Sequence, residues 1–228
     1  MNLSEILSLC NYVANKEKLG NTLTPEQYNI LLEAVNADFF RKEYEDAQKI
    51  AFTQGVRLGS VIFKSGALRG FRYKEDDVAV TAGVITVSAL AETYVYWISM
   101  MATYNGARRG VEFVSDVELE GRLTNLLAKP IEYFPAAIDN GSEILVYPAD
   151  ITAVDFVYLK MPTQPVYAWT QDAYDRTIYS PEGSTELEWA EIYHPQIVQE
   201  ILSRIGISLK SEQLQAYVER ARADSKIV

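Results

Sequence analysis

The spacing of apolar residues changes at Gly55, and that change decides the fold class. Up to Gly55 they recur every three or four positions. Leu3, Ile6, Leu7, Cys10 and Val13 form one stripe, and Tyr28, Leu31, Leu32, Val35, Phe39, Phe40 and Tyr44 form another. That is the period of helices with one buried face. From Val56 to about Trp169 the period drops to two, in short runs punctuated by Gly, Asn and Pro, which is the pattern of strands and turns. Beyond Pro195 the helical spacing returns. The expected class is α+β. We read an N-terminal helical hairpin over 1–55, a central antiparallel β domain over 56–160 with an inserted helix over 116–128, and an extended aromatic arm over 161–184. C-terminal helices over 185–228 are expected to pack as one unit with 1–55.

Local signals sharpen these boundaries. Gly20 can end the first helix in the left-handed conformation. Thr24 is a natural N-cap, Pro25 suits the first helical position, and Gln27 completes a Thr-x-x-Gln capping box. In the middle, Val78 and Val80, then Val84 to Val87, flank Ala82-Gly83 as two short strands and a tight turn. Tyr94 to Tyr104 is a strand that ends at Asn105-Gly106, a strong hairpin signal, with Val111 to Val114 answering it across Arg108 and Arg109. Asp116 is expected to cap a short helix carrying Val117, Leu119, Leu123, Leu126 and Leu127, closed by Pro130. A second hairpin joins Phe134–Ile138 to Glu143–Tyr147 through Asn140-Gly141, and Ile151 to Leu159 gives a further strand. Pro195 opens a helix that Gly206 breaks, and Ser208 or Ser211 caps a last one through Leu214, Tyr217 and Val218.

The inventory of reactive residues is short. There is one Cys, Cys10, on an apolar helix stripe, so neither an intramolecular disulfide nor a thiolate metal cluster can form. The single His, His194, can build neither a His-rich metal site nor a triad without partners, and it stands at a helix start. Gly59 to Ser65 ends in Lys-Ser but lacks the glycines of a phosphate-binding loop. Glu75-Asp76-Asp77 and Asp116-x-Glu118-x-Glu120 have no calcium-loop pattern. We therefore expect no catalytic, cofactor-binding or metal-binding residues. The longest apolar candidate, Tyr94 to Tyr104, is about half a membrane span, and the N-terminus lacks the positive region of a secretory signal. The expectation is a non-membrane protein made in the cytoplasm.

Two features point instead to surfaces. The net charge is −10, which opposes sequence-independent binding to phosphate. Yet Arg57, Lys64, Arg69, Arg72 and Lys74 follow one another with no acid between them. They read as a docking face for an acidic partner or for DNA passing nearby, or as an ordinary exposed hairpin. The arm is rich in Tyr and Trp, and Tyr167, Trp169 and Tyr174 are candidates for contact with an adjacent chain.

Three passages carry a family resemblance. They are Asn21-Thr22-Leu23-Thr24-Pro25-Glu26-Gln27-Tyr28-Asn29 with Asn36-Ala37-Asp38-Phe39-Phe40, Tyr158-Leu159-Lys160-Met161-Pro162 with Pro165, and Ile197-Val198 and Ile201-Leu202 leading to Gly206-Ile207-Ser208-Leu209 and Tyr217. In these the chain resembles small structural proteins of tailed bacteriophages that infect Bacteroidetes, including the ring or adaptor proteins of the crAss-like phage neck and tail. The resemblance implies a homo-oligomeric ring of the virion neck or tail, stacked below the portal and touching the portal or adjacent rings. DNA would pass nearby without sequence-specific binding. The alternatives are an interaction protein outside the ring (scaffold, cargo or auxiliary factor) and a hydrolase built on two carboxylates.

Overall fold

The computed structural model describes residues 1–16, 23–104, 106–174 and 176–205. It is α+β, and its chain forms two compact units, 50–161 and the remainder. Helix α1 (Leu3–Lys16) and helix α2 (Pro25–Gln54) arise where the helical stripes stand. The start of α2 is a reciprocal capping box. The Thr24 N–H donates to Gln27 Oε1 at 3.2 Å and the Gln27 N–H to Thr24 Oγ1 at 3.4 Å, satisfying two donors that the first turn leaves open. At its far end Gly55 takes φ 62°, the left-handed stop expected there. The expected helix break at Gly20 and the last helix through Leu214, Tyr217 and Val218 lie outside the described residues.

In the first unit α1 packs against α5 (His194–Arg204), and α2 reaches α1 through the Tyr28 hydroxyl, which donates to the Leu3 carbonyl at 3.1 Å. The buried faces are Leu3, Ile6, Cys10 and Val13 of α1, Tyr28, Leu32, Val35 and Phe39 of α2, and Ile197, Val198, Ile201 and Leu202 of α5. Burial among these side chains pushes the Cys10 thiol up to about 12. A pKa raised by folding stabilises the fold fully below the unfolded value, and that contribution is lost as pH rises through about 12. Accordingly Cys10 should not react with an aromatic disulfide reagent at about pH 8 until the chain unfolds. Labelling of the native protein at the rate of the denatured one would contradict this burial.

The second unit is built on a seven-stranded sheet in the order β1-β7-β3-β4-β5-β6-β2. Its strands are β1 (Arg72–Ala79), β2 (Val84–Thr86), β3 (Tyr94–Tyr104), β4 (Ala107–Phe113), β5 (Ala136–Asp139), β6 (Glu143–Tyr147) and β7 (Ala153–Lys160). The hairpins β3–β4 and β5–β6 turn at Gly106 and Gly141, both with positive φ. Arg108 and Arg109 belong to β4 itself rather than to its connection, because the ladder begins at Tyr104 opposite Ala107. The turn at Ala82-Gly83 also forms, with φ 52° and 80°. The strands it joins then part: β1 pairs with β7 at one edge and β2 with β6 at the other. β7 does not alternate, since it runs between β1 and β3 with both faces covered. One face enters the core with Phe156 and Tyr158. Over the other, a short helix α3 (Leu58–Lys64) packs on β3 and the 3-10 turn Leu68–Phe71 on β7.

The domain is not wholly antiparallel. β4 and β5 run parallel, with Glu112 opposite Ala136 and Phe113 opposite Ala137. A parallel pair needs a crossover, and residues 114–135 with helix α4 (Asp116–Thr124) provide it. Ser115, not Asp116, is the N-cap, its hydroxyl accepting the Glu118 N–H at 3.4 Å. The helix ends at Thr124, short of 128, so Leu126 and Leu127 leave the helical face expected for them.

The stretch 161–184 is no free arm. It folds into a hairpin of β8 (Trp169–Gln171) and β9 (Thr177–Tyr179) within the first unit. Two asparagines of α2, two turns apart, hold it and the chain that follows. The Asn29 side chain brackets the Tyr167 peptide, accepting its N–H at 2.8 Å and donating to its carbonyl at 3.0 Å. The Asn36 amide donates to the Thr163 carbonyl at 3.3 Å and its oxygen accepts the Trp189 indole N–H at 2.7 Å.

Candidate partner-binding surfaces

The basic run is carried by α3, the 3-10 turn and the start of β1, and all five side chains are exposed. The structure divides it. Arg57 stands before the first turn of α3, where its charge helps the Arg122 guanidinium hold the Glu112 carboxyl below the usual carboxylate range; the hydrogen bond from Arg122 is the larger cause. Lys74 pairs with Asp76 on the same strand. Lys64 ends α3, and Arg69 and Arg72 gather beside it at Phe63. Val61 and Ile62 are buried, and the helix phase turns Phe63 outward, 53% exposed. The Arg69 and Arg72 guanidinium carbons each lie 5.7 Å from its ring centroid, in range of a cation–π contact. Among the described residues none of these three cations has a carboxylate within ion-pair distance.

Gly59 sets how closely this helix approaches the sheet. A Cβ there would stand 3.0 Å from Ile98 Cγ2 and 3.2 Å from the Ile98 carbonyl oxygen. A side chain there would crowd Ile98 of β3 and force it or the helix to give by a few tenths of an ångström.

The three aromatic candidates separate. Tyr167 is only 5% exposed and is sealed in its own unit, edge-on to Tyr28 at 5.6 Å and stacked on Tyr179 at 5.0 Å. It is core, which corrects its reading as a contact for another chain. The signal that places it there is the amide of Asn29, far away in sequence. Trp169 is half-buried and stacks on Tyr167 at 6.4 Å. Tyr174 alone stands out at the hairpin tip, under the Arg176 guanidinium at 5.4 Å. Asp172 ties that tip, accepting the Tyr174 and Arg176 N–H groups at 2.8 and 2.9 Å and the Arg176 Nε–H at 2.7 Å. Those bonds hold the Asp172 carboxyl below its usual range, the Arg176 backbone N–H first among them.

A surface that the sequence reading missed is the β4–β5 crossover. Leu126 is 94% exposed and Leu127 99%, and Val117, Tyr133 and Phe134 are exposed beside them in sequence. Only Leu119 of α4 is buried. Asn125 ends the helix and its side-chain oxygen accepts the Leu127 N–H at 3.0 Å, an Asx turn that swings both leucines off the helical stripe. Asn125 and Pro130 are the local signs that could have revealed this. Asp116, Glu118 and Glu120 are all exposed on α4, Asp116 and Glu120 one turn apart on one side, while Arg122 is held between Glu112 at 2.8 Å and Glu118 at 2.6 Å.

Of the residues set aside as chemically inert, His194 is buried and its Nε2 meets the Trp189 carbonyl at 3.0 Å. That contact makes it a packing residue of α5. Among the described residues no three His, Cys, Asp or Glu side chains gather as a metal site, and no helix is long and apolar enough to cross a membrane. No protein-family model matches the chain, and comparison with curated proteins finds no match.

Proposed function

We propose that this chain is a structural subunit of a tailed-phage particle, part of a neck or tail ring that connects the portal to the tail around the DNA path. The observation that carries the reading is the bare β4–β5 crossover. Two successive leucines left almost wholly exposed, Leu126 and Leu127, are what a subunit keeps for its neighbours rather than for water. The resemblance in the passages around Thr24, Tyr158 and Ile197 suggests which assembly those neighbours belong to. In this reading the chain has no catalytic role and no cofactor, and it resides in the virion after synthesis in the host cytoplasm. With a net charge of −10, the subunit presents acid to the DNA path, so that DNA slides without the salt-dependent drag of cation–phosphate contacts. The basic patch around Phe63 then faces protein.

The test is the mature particle. The chain should be present in purified virions in stoichiometric amount, and a particle map should place it in an axial ring between portal and tail. A chain found in assembling heads but absent from mature virions would be a scaffold or cargo factor instead. A chain mapped outside any axial ring would overturn the reading.

A further inference from the structure

We propose that the basic, aromatic surface around Phe63 on one copy of this chain docks onto the acidic, apolar β4–β5 crossover of a second copy. The proposal deepens the ring reading by naming which surfaces of the subunit meet. Both surfaces belong to the unit 50–161, and each lacks what the other offers. Residues 57–74 hold five cations and no carboxylate, whereas residues 112–134 hold five carboxylates (Glu112, Asp116, Glu118, Glu120, Glu132) against two cations, Arg122 and Lys129. On the first, Lys64, Arg69 and Arg72 have no acidic partner among the described residues. On the second, Arg122 is occupied by Glu112 and Glu118, which leaves Asp116 and Glu120 exposed without an ion pair among the described residues.

The apolar parts match in the same way. Phe63 is a half-exposed ring within reach of two guanidinium groups, and Leu126 and Leu127 are bare aliphatic side chains on a crossover that is acidic overall. Seating the ring on the leucines would set its flanking arginines against the acidic crossover, where desolvation strengthens each charge-assisted hydrogen bond they form. A contact between unlike surfaces leaves one surface of each kind open on every pair, so copies add head to tail, into a ring where the rotation between them closes.

Charge also argues for a second copy over a nucleic acid. The acidic crossover and the overall charge of −10 repel phosphate. The same overall charge makes two copies repel at long range, but at physiological salt the screening length is about 8 Å. The long-range term fades there while the contact pairs persist.

Charge reversal with rescue tests this on the full chain. Wild-type protein should show a sedimentation-average mass that rises with concentration into the hundreds of micromolar. Arg69→Glu with Arg72→Glu makes both surfaces acidic, and Asp116→Lys with Glu120→Lys makes both basic. Each variant alone should stay at monomer mass, with association weakened about tenfold or more, and their equimolar mixture should associate again. Leu126→Ser with Leu127→Ser, which removes apolar surface and no charge, should weaken association as well. All four positions in the charge variants are exposed, and an unchanged circular dichroism melt shows that each variant folds. Wild-type protein that remains monomeric across the series would overturn the proposal. So would variants that associate like wild type, or a mixture that fails to recover. Virion location and this contact can fail separately, since the chain can sit in an axial ring through other surfaces.

Discussion

Replacing Trp189 with alanine should lower the unfolding free energy of the helical unit by about 3–5 kcal/mol. The indole is 3% exposed and lies edge-on to Phe39 with ring centroids 4.7 Å apart. Its N–H donates to Asn36 Oδ1 at 2.7 Å, and its carbonyl takes the His194 Nε2 contact at 3.0 Å. The backbone contact to His194 survives the substitution; the ring and its hydrogen bond do not. The cost therefore has two parts, a cavity beside Phe39 and a buried Asn36 oxygen without its donor. Trp189→Phe separates them, because it keeps an aromatic ring and loses the donor, and should cost about 1–3 kcal/mol. Chemical denaturation followed by helical circular dichroism measures both. A loss under about 1 kcal/mol for the alanine variant would mean that Trp189 does not anchor the segment after the β8–β9 hairpin.

That anchor also shows where reading the chain from its sequence stops. The capping box at Thr24, the helix stop at Gly55 and the turns at Gly106 and Gly141 are all legible, because each is decided within a few residues by backbone chemistry. The candidates that failed depend on partners far along the chain. Tyr167 looks like an exposed arm residue until Asn29, 138 positions earlier, is found bracketing its peptide. Ala82-Gly83 is a turn, as its residues demand, but the sheet order sends β1 and β2 to opposite edges. No local signal carries that, since β1 is claimed by β7, which lies beyond five other strands in sequence.

The surfaces were legible to different degrees for related reasons. A run of cations without acids is visible in any sequence, so residues 57–74 stand out at once. Phe63 does not, since Val61-Ile62-Phe63 reads as core and only the phase of α3 against β3 turns the ring outward. Leu126 and Leu127 continue the spacing of Leu119 and Leu123 so well that helix is the natural reading. The backbone leaves that path at Asn125, whose side chain competes for the N–H two residues on. A residue's type announces what it can do; the end of its helix decides whether it faces water.

Phe156→Ala should cost about 3–5 kcal/mol in the sheet unit and weaken self-association as the surface variants do. Phe156 is fully buried in β7 at the centre of an aromatic group. Its ring lies 5.1 Å from Tyr158, 5.7 Å from Tyr94 and 6.4 Å from Phe113, and Phe113 stacks on Trp97 at 4.1 Å. β7 joins β1, which begins at Arg72, to β3, on which α3 packs, and β3 is paired in turn with β4 and its crossover. Loss of this ring therefore loosens the platform between the two docking surfaces and removes no atom from either. The expected signature is a denaturation midpoint shifted for Trp97 fluorescence while helical circular dichroism of the other unit changes less. Phe156→Leu, which retains most of the volume, should cost under about 1.5 kcal/mol and keep the charge-reversal rescue intact. If Phe156→Ala leaves self-association at its wild-type strength, the two surfaces are not held by this sheet, and the contact must be sought on the hairpin that carries Tyr174.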